Sequence, residues 1–439
     1  MLGAADRTIS AAATTTPSSA PAATPPEIAP PSDGTTPPKS FWTADYLTQP
    51  WLGFRDTWQK DGISFKPDWT AEIQGNPVGG ARHGAITEGL VDLPLELNLD
   101  TLTGGALKDT LFHAEAFYIY GPELSSHFVG DFSVTSGIAA YNSLRLDELW
   151  IQKGLWNNQV SVRVGNLAID TEFFQSNSAA LYFGSTFGAF TLLANNFPDA
   201  PQYPLASPGV RIRVQPDPHY YVMAGVYGLD NGINPATNDQ NGTRFALNGA
   251  SGVFIATEAG YLLNQGPNDK GLQGTYELGA FIDTGDTQPF LVAGGMPTPA
   301  LHGYGADFAI YGVVDQQIYA DGPASINLFT RAGGAPSNSN FVDFYADGGF
   351  NFTGFVPGRG QDVAGLAVAR SHVSQDFSDE QVAAGSPPLH AETYIEATYK
   401  VQLTPWWNVQ PDVQYIVTPS GVQGSHDALV LGLRTYVLF

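Results

Sequence analysis

Leu429-Val-Leu-Gly-Leu-Arg-Thr-Tyr-Val-Leu-Phe439 ends the chain, and this stretch decides the fold class. Positions 429, 431, 433, 435, 437 and 439 hold Leu, Leu, Leu, Thr, Val and Phe, whereas the alternate positions include Gly432, Arg434 and Tyr436. A period of two is the geometry of a β-strand, in which successive side chains point to opposite faces. The stretch therefore predicts a terminal strand with one apolar face and an arginine on the other face.

The same alternation recurs through most of the chain. It is clearest in four segments of about ten to twelve residues, and weaker matches bring the count of strands to about sixteen or seventeen. The clear segments are 65–74, 91–100, 392–403 and 408–417, and the further candidates lie near 111–120, 144–153, 159–165, 187–195, 208–214, 219–227, 252–262, 273–283, 304–319, 325–331, 341–352 and 362–370. Long gaps, such as 121–141, are expected to form loops at one end.

The length and the polar face of these strands favour a membrane barrel over a soluble sheet. Strands of about 9–11 residues cross a bilayer when tilted by about 45°, whereas strands in globular proteins usually have about 5–6 residues. Consecutive charged side chains on one face require a water-filled lumen, which needs about sixteen strands. We therefore predict an all-β fold, a transmembrane antiparallel β-barrel of about 16 strands. A terminal strand that ends on an aromatic residue is typical of bacterial outer-membrane barrels.

Composition agrees with this fold class and argues against several functions. Charged residues make up 14% of the 439 residues, against roughly 25% in soluble domains. Gly and Pro number 49 and 32, which indicates many turns. No apolar run reaches the length of a transmembrane helix. The net charge of −23 argues against nucleic acid as a partner, and the absence of cysteine excludes a disulfide framework.

The chain divides into three parts. Residues 1–40 are rich in Pro, Ala and Thr with few large apolar side chains, which predicts a disordered spacer. Residues 41–63 are expected to form a short N-terminal helical segment, with a helix at 50–61 that Gly62 ends. The transmembrane β-barrel is assigned to 64–439. The first thirteen residues lack the features of a secretory signal, and we interpret the chain as a mature form that was given a starting Met.

Five blocks of the sequence resemble OprB-type carbohydrate-selective porins of the bacterial outer membrane. They are Leu52–Ile63, Trp69–Glu72 with Asn76–Gly80, Arg163–Phe174 with Ala179–Phe183, Tyr203–Arg213, and Glu392–Val417. The resemblance covers most of 46–439 and implies a porin that passes monosaccharides and small sugars by passive diffusion. We further expect sugars and outer-membrane lipids as partners, no cofactor, and an N-terminal segment in the periplasm; monomer and homotrimer both stay open. The long spacer at residues 1–40 and the net charge of −23 depart from the pattern of the family.

A channel for sugars needs hydrogen-bonding groups and aromatic faces along its lumen. Alternation places eight charged candidates on the inward face: Glu72, Asp92, Glu96, Glu115, Arg163, Arg211, Arg213 and Arg434. Arg211 and Arg213 are predicted to form a basic ladder opposite carboxylates; a mutually neutralising ladder without a role toward the substrate is the alternative.

Four further candidates lie where the alternation is interrupted or ambiguous. Glu172 and Phe173 belong to 170–183, which resembles a turn and a short helix. This segment is expected either to fold inward and narrow the pore or to pack as a surface loop. Glu148 and Trp150 are candidate pore-lining residues of a segment whose inward face the alternation leaves undecided.

Two other functions stay open at this point. The charge of −23 favours a general or cation-preferring porin of the same fold. The other alternative is a soluble extracellular β-protein that binds or hydrolyses glycans, because carboxylates at catalytic separations can arise from folding alone. The eight histidines form no metal-binding pair such as HExxH, and neither a GxSxG elbow nor a P-loop is present. We therefore expect no catalytic residue, no metal site and no enzyme activity.

Overall fold

The computed structural model describes residues 40–48, 54–229, 241–245, 247, 252–285, 290, 292–293, 296–297 and 306–439. Its main sheet has 17 strands, of which sixteen form a closed barrel. The barrel strands are β1 (Asp68–Val78), β2 (Gly84–Asn98), β3 (Thr110–Tyr120), β4 (Ser143–Leu155), β5 (Val160–Leu167), β6 (Ser207–Asp217), β7 (Tyr220–Gly228), β8 (Val253–Leu263), β9 (Gly274–Asp283), β10 (Asp307–Asp321), β11 (Ala324–Gly334), β12 (Val342–Thr353), β13 (Val363–Val373), β14 (Ala391–Thr404), β15 (Trp407–Val417) and β16 (Ala428–Leu438). The remaining strand, Ile63–Phe65, pairs with the end of β2.

Each barrel strand pairs antiparallel with its neighbours along the chain, and the last pairs with the first. β16 lies beside β1 with Arg434 opposite Glu72 and Leu438 opposite Asp68. Closure removes the sheet edges, whose unpaired backbone groups would be costly in a bilayer. The predicted all-β transmembrane barrel of 16 strands is thus confirmed, and the stretch 429–439 is its closing strand.

The wall of the barrel is polar inside and apolar outside. In β1, Glu72 and Gln74 are each 1% exposed, whereas Ile73 between them is 57% exposed. In β15 the side chains of Gln410, Asp412 and Gln414 are buried, whereas Val413 on the outer face is 44% exposed. A soluble sheet buries its apolar face, so this inverted pattern fits a wall that meets lipid on its outer face. Among the described residues, no helix has the length and apolar content to cross a membrane.

One predicted strand and several boundaries differ from the structure. Residues 187–195 were predicted to be a strand, but they contain the end of a 3-10 helix, Ser185–Phe187, and an α-helix, Thr191–Ala194. This apolar stretch is buried on all sides, and periodicity cannot distinguish a short buried helix from a buried strand. Residues 50–53 of the predicted helix 50–61 lie outside the described ranges; the described helix is Phe54–Lys60, followed by Gly62 with a φ of +87°. The spacer prediction for 1–40 concerns residues outside the described ranges, Ser40 excepted.

Two long connections fold into the barrel from the end opposite the C-terminus. The first inward segment, residues 121–142, contains a π-helix at Ser125–Val129. The second inward segment, residues 168–206, carries Ile169–Thr171, Ala179–Leu181, Ser185–Phe187 and Thr191–Ala194. Its aromatic side chains pack on the wall formed by β9 to β12, with ring centroids 5.7 Å apart for Phe174 and Phe281 and 5.5 Å apart for Phe190 and Tyr345. One side of the lumen is therefore filled by an aromatic cluster.

Residues 41–47, at the start of the described chain, pack beside the C-terminus. The backbone N–H of Leu47 donates to the carbonyl of Leu438 at 2.9 Å, and Trp406 Nε1 donates to the carbonyl of Phe41 at 3.0 Å. The N–H of Phe439 donates to the carbonyl of Pro67, also at 2.9 Å. The last residue of the closing strand is thereby fixed to the start of the barrel.

Candidate functional site

A polar cavity of about 980 Å³ occupies the part of the lumen that the aromatic cluster leaves free. Lys66, Asp68 and Leu438 are among the residues that line it, so it extends toward the end of the barrel that holds the C-terminus. Eight of the twelve residues predicted from the sequence line this cavity: Asp92, Glu96, Glu115, Glu148, Trp150, Arg163, Glu172 and Arg434. They come from β2, β3, β4, β5, β16 and the second inward segment.

Glu172 of the second inward segment joins two arginines of the barrel wall. Arg163 on β5 lies directly opposite Arg211 on β6, an arrangement of like charges that destabilises a sheet. The carboxylate of Glu172 accepts from Arg211 Nε at 2.7 Å and from its Nη2, and it lies 3.3 Å from Arg163 Nη1. Gln152 Oε1 accepts from Arg211 Nη2 at 2.9 Å and from Arg163 Nε at 3.2 Å. These contacts tie the inward segment to the wall at the edge of the cavity.

Trp150 adds an aromatic face to the same group. The Arg163 guanidinium carbon lies 3.7 Å from the centre of the Trp150 ring, a cation–π contact. Trp150 Nε1 donates to Glu148 Oε2 at 3.1 Å, which fixes the orientation of the indole. We call Trp150, Arg163, Glu172 and Arg211 the constriction cluster. It presents a cation, an anion and an aromatic ring side by side at the cavity wall.

Two acids of the second inward segment have opposite pKa shifts. Burial raises the pKa of Asp170 to about 7, although its carboxylate accepts a hydrogen bond from the backbone N–H of Tyr203. Burial also acts to raise the pKa of Glu172, but Arg163 and Arg211 outweigh that effect, and the pKa lies below the ordinary value of Glu. Glu172 is therefore ionised at neutral pH and neutralises part of the positive charge of the two arginines.

The other predicted residues have partners elsewhere in the lumen. Glu72 Oε1 accepts from Arg434 Nε at 2.7 Å, so this pair bridges the first and last strands. The Arg213 guanidinium lies 3.8 Å from the centre of the Tyr221 ring, whereas Arg211 on the same strand hydrogen-bonds Glu172 directly. Phe173 is 0% exposed and packs in the aromatic cluster, because the segment turns its ring away from the cavity.

Comparison with known proteins identifies the family of this chain. Residues 82–439 match the family model described as carbohydrate-selective porin, OprB family. The chain belongs to the OprB family. It is 26% identical over 428 residues to Porin B of Pseudomonas aeruginosa, with 89% of this chain and 90% of the relative covered. It is 23% identical over 425 residues to the putative porin QuiX of Acinetobacter baylyi, with 91% and 94% covered.

A solved structure agrees with the fold of this OprB-family chain. The high-pH structure of Pseudomonas putida OprB superposes with a TM-score of 0.82 at 23% identity, covering 91% of this chain and 100% of that chain. The protein is accordingly a carbohydrate-selective porin of the Gram-negative outer membrane, as the sequence predicted. Sugars are what it passes, and family and fold indicate a channel rather than an enzyme.

Sequence reasoning missed one role of the acidic residues in this OprB-family barrel. Several inward carboxylates accept hydrogen bonds from backbone N–H groups of the two inward segments, at distances between 2.5 and 2.9 Å. The pairs are Glu392 with Ser133, Glu148 with Ala168, Glu258 with Phe174, Asp315 with Ser178, and Glu396 with Phe183. We call these acids the anchoring carboxylates. No local signal reveals them, because most partners are 80 or more residues apart.

Proposed function

We propose that monosaccharides cross this porin passively along the polar cavity and past the constriction cluster. The observation that carries the proposal is the joint position of Arg163, Glu172 and Trp150 on the cavity wall, where the second inward segment meets the barrel wall. A sugar presents hydroxyl groups around its rim and C–H groups on its faces. The cluster offers donors, acceptors and an aromatic face within one small region, which matches both kinds of surface.

The chemistry of the cluster supports passage rather than tight retention. Charge-assisted hydrogen bonds from a guanidinium to hydroxyl oxygens replace bonds that the sugar loses to water. Arg163 already shares the carboxylate of Glu172, so a passing sugar exchanges one set of partners for another and leaves no charge unpaired. Conduction needs binding that is favourable enough to enter and weak enough to leave.

Liposome swelling with a panel of sugars tests the proposal. Arg163→Gln removes the charge at the cavity wall, and we expect the preference for monosaccharides over uncharged polyols of equal size to fall. Arg359→Gln is the matched control, since that arginine pairs with Asp362 at 2.8 Å and does not line the cavity. Equal sugar preference in wild type and Arg163→Gln, with both barrels folded, would refute the role of the cluster.

A cation preference of the same channel is a second candidate. The acidic residues Asp92, Glu115 and Asp147 on one side of the cavity favour it. Reversal potentials under a KCl gradient measure it directly. A reversal potential near zero together with glucose block of the current would leave the sugar channel as the sole function.

The outer face and the termini complete the proposal. Outward side chains such as Leu278, 70% exposed, and Leu144, 63% exposed, are proposed to contact outer-membrane lipids. Residues 41–47 and the C-terminus lie at the barrel end opposite the long inward connections, and outer-membrane barrels carry their longer loops outside. We infer that the N-terminal segment is periplasmic and that the protein has no catalytic activity.

A further inference from the structure

Beside the constriction cluster, β2, β3 and β4 form an acidic pocket. It consists of Asp92 on β2, His113 and Glu115 on β3, and Asp147 and Glu148 on β4, and all five line the cavity. The pairing of β3 with β4 shifts register between Ala114 and Ala116, so that two residues of β4 face one residue of β3. A β-bulge of this kind turns successive side chains toward one face. For this reason Asp147 and Glu148, neighbours in sequence, both point into the lumen.

Three side chains of the acidic pocket converge at distances suited to a metal ion. One ring nitrogen of His113 and one oxygen each of Glu115 and Glu148 lie within 4.8 Å of one another. The His113 ring stacks on Trp150, with centroids 4.7 Å apart and an interplanar angle of 14°. Glu148 is held by the Trp150 indole N–H and by the backbone N–H of Ala168. Neighbouring groups therefore hold His113 and Glu148 in place without any ligand.

The surrounding charge is strongly negative. Asp92 and Asp147 are 8% and 3% exposed, and the Oδ1 atom of each has no hydrogen-bond partner among the described residues. Arg145 supplies a positive charge beside Asp147, but Arg163 is shared with Glu172 at 3.3 Å. A buried carboxylate oxygen without a hydrogen-bond partner is costly. A cation in the acidic pocket would relieve that cost.

We propose that the acidic pocket binds one divalent cation through His113, Glu115 and Glu148, with Asp92 and Asp147 adding negative charge around it. Imidazole and carboxylate ligands suit a metal of intermediate softness such as Zn²⁺, whereas Ca²⁺ takes oxygen ligands. The bound ion would place a positive charge within the sugar path. Binding is measured without sugar, so it can fail or succeed independently of the function proposed for the constriction cluster.

Cobalt(II) is a suitable probe because its visible absorption reports its ligands. It is titrated into the full-length protein in detergent, and Zn²⁺ is then added as a competitor. The wild type is expected to bind Co²⁺ saturably and to release it to Zn²⁺. His113→Phe retains an aromatic ring against Trp150 but removes the nitrogen, and Glu115→Gln retains the shape but removes the charge. Each is expected to weaken Co²⁺ binding by about tenfold or more.

His83→Ala is the matched control, because His83 is exposed and lies outside the acidic pocket. Heat-modifiable migration on a gel verifies that each variant forms the barrel. The proposal is overturned if the wild type shows no saturable Co²⁺ absorption. It is equally overturned if folded His113→Phe and Glu115→Gln bind Co²⁺ as the wild type does, or if His83→Ala loses binding to the same degree as His113→Phe.

Discussion

Glu172→Gln tests whether one carboxylate holds the second inward segment against the barrel wall. The side chains of Glu172 and Arg163 are each 9% exposed and that of Arg211 is 2% exposed, so the substitution leaves two buried arginines without their shared anion. Breaking a buried ion pair by removing one partner costs about 3–5 kcal/mol. Because the cavity beside the cluster is polar and open to water, we expect the lower end, about 3 kcal/mol.

Hydrogen–deuterium exchange resolves where this loss occurs. The barrel wall keeps its backbone ladder, so the change should appear as local opening of the second inward segment. A loss of about 3 kcal/mol corresponds to roughly a hundredfold faster exchange for amides that open with this segment. We expect that change at residues 169–175 and little change in β9 to β12. Single-channel conductance should rise, because the segment narrows the lumen.

Glu277→Gln is the matched control for this prediction. Glu277 also faces the lumen, but its Oε1 accepts from the neutral hydroxyl of Tyr221 at 2.7 Å and from no arginine among the described contacts. Loss of a hydrogen bond to a neutral partner costs about 1 kcal/mol. Amide exchange at residues 169–175 should therefore rise about fivefold or less in Glu277→Gln. Unchanged exchange at 169–175 in folded Glu172→Gln would show that the aromatic cluster alone holds the segment, and the reasoning would be refuted.

Acidification provides a second measure of the same carboxylate. The folded-state pKa of Glu172 lies below its ordinary value, since Arg163 and Arg211 outweigh burial. Its contribution to stability is therefore fully present above the ordinary Glu pKa of about 4.3 and is lost as the pH falls through the lower folded-state pKa. Between neutral pH and about pH 4.3, Glu172 stays ionised and should cause no change in the exchange rate at residues 169–175. Below it, exchange at 169–175 in the wild type should approach that of Glu172→Gln.

Three further predictions concern other parts of the barrel. Glu396→Gln weakens an anchoring carboxylate that accepts from the N–H of Phe183 at 2.5 Å; a loss of about 1–3 kcal/mol should speed exchange of that amide by at least about fivefold. Gly279→Ala would place a Cβ 2.2 Å from the ring of a tyrosine on the neighbouring strand, and the midpoint of heat-induced unfolding should fall by an amount equivalent to about 1–3 kcal/mol. The pKa of His219 is raised chiefly by its hydrogen bond to Asp269, which joins the β6–β7 turn to the β8–β9 turn. This contact therefore stabilises the two turns fully below the ordinary His pKa, and the stabilisation is lost as the pH rises through the raised pKa of His219. Exchange at residues 264–270 should increase across that window in the wild type, and the step should disappear in His219→Gln.

The wall of the barrel could be predicted from the sequence because each strand carries its own signal. Glu72 and Arg434 were assigned inward by alternation alone, and both point inward. Their mutual contact could not be predicted, because it depends on closure between residues 362 positions apart. Alternation fixes the face of a residue, whereas the partner across the sheet depends on register.

The interior of the barrel is where sequence reasoning failed, and each failure has a local cause. The bulge opposite Glu115 made the alternation around Glu148 and Trp150 ambiguous, because one extra residue reverses the apparent face of everything after it. The sequence predicts Phe173 to line the pore beside Glu172, but Phe173 lies in a bend after the 3-10 helix Ile169–Thr171 and packs in the buried cluster, and a bend has no periodicity from which its side-chain direction could be predicted. The segment 187–195 is buried inside the lumen, where neither alternation nor a polar face is required.

The anchoring carboxylates change how the net charge of −23 should be interpreted. Glu258 and Glu392 accept hydrogen bonds from backbone N–H groups of the inward segments and so hold these segments in position. Such an acid presents less of its charge to a passing ion than an unpaired acid does. Any cation preference should therefore depend on Asp92 and Asp147, which line the cavity and each have one oxygen without a hydrogen-bond partner among the described residues. Asp92→Asn should reduce a cation-selective reversal potential more than Glu258→Gln, although both remove one negative charge; equal reductions would show that total charge, rather than the position of unpaired oxygens, sets the selectivity.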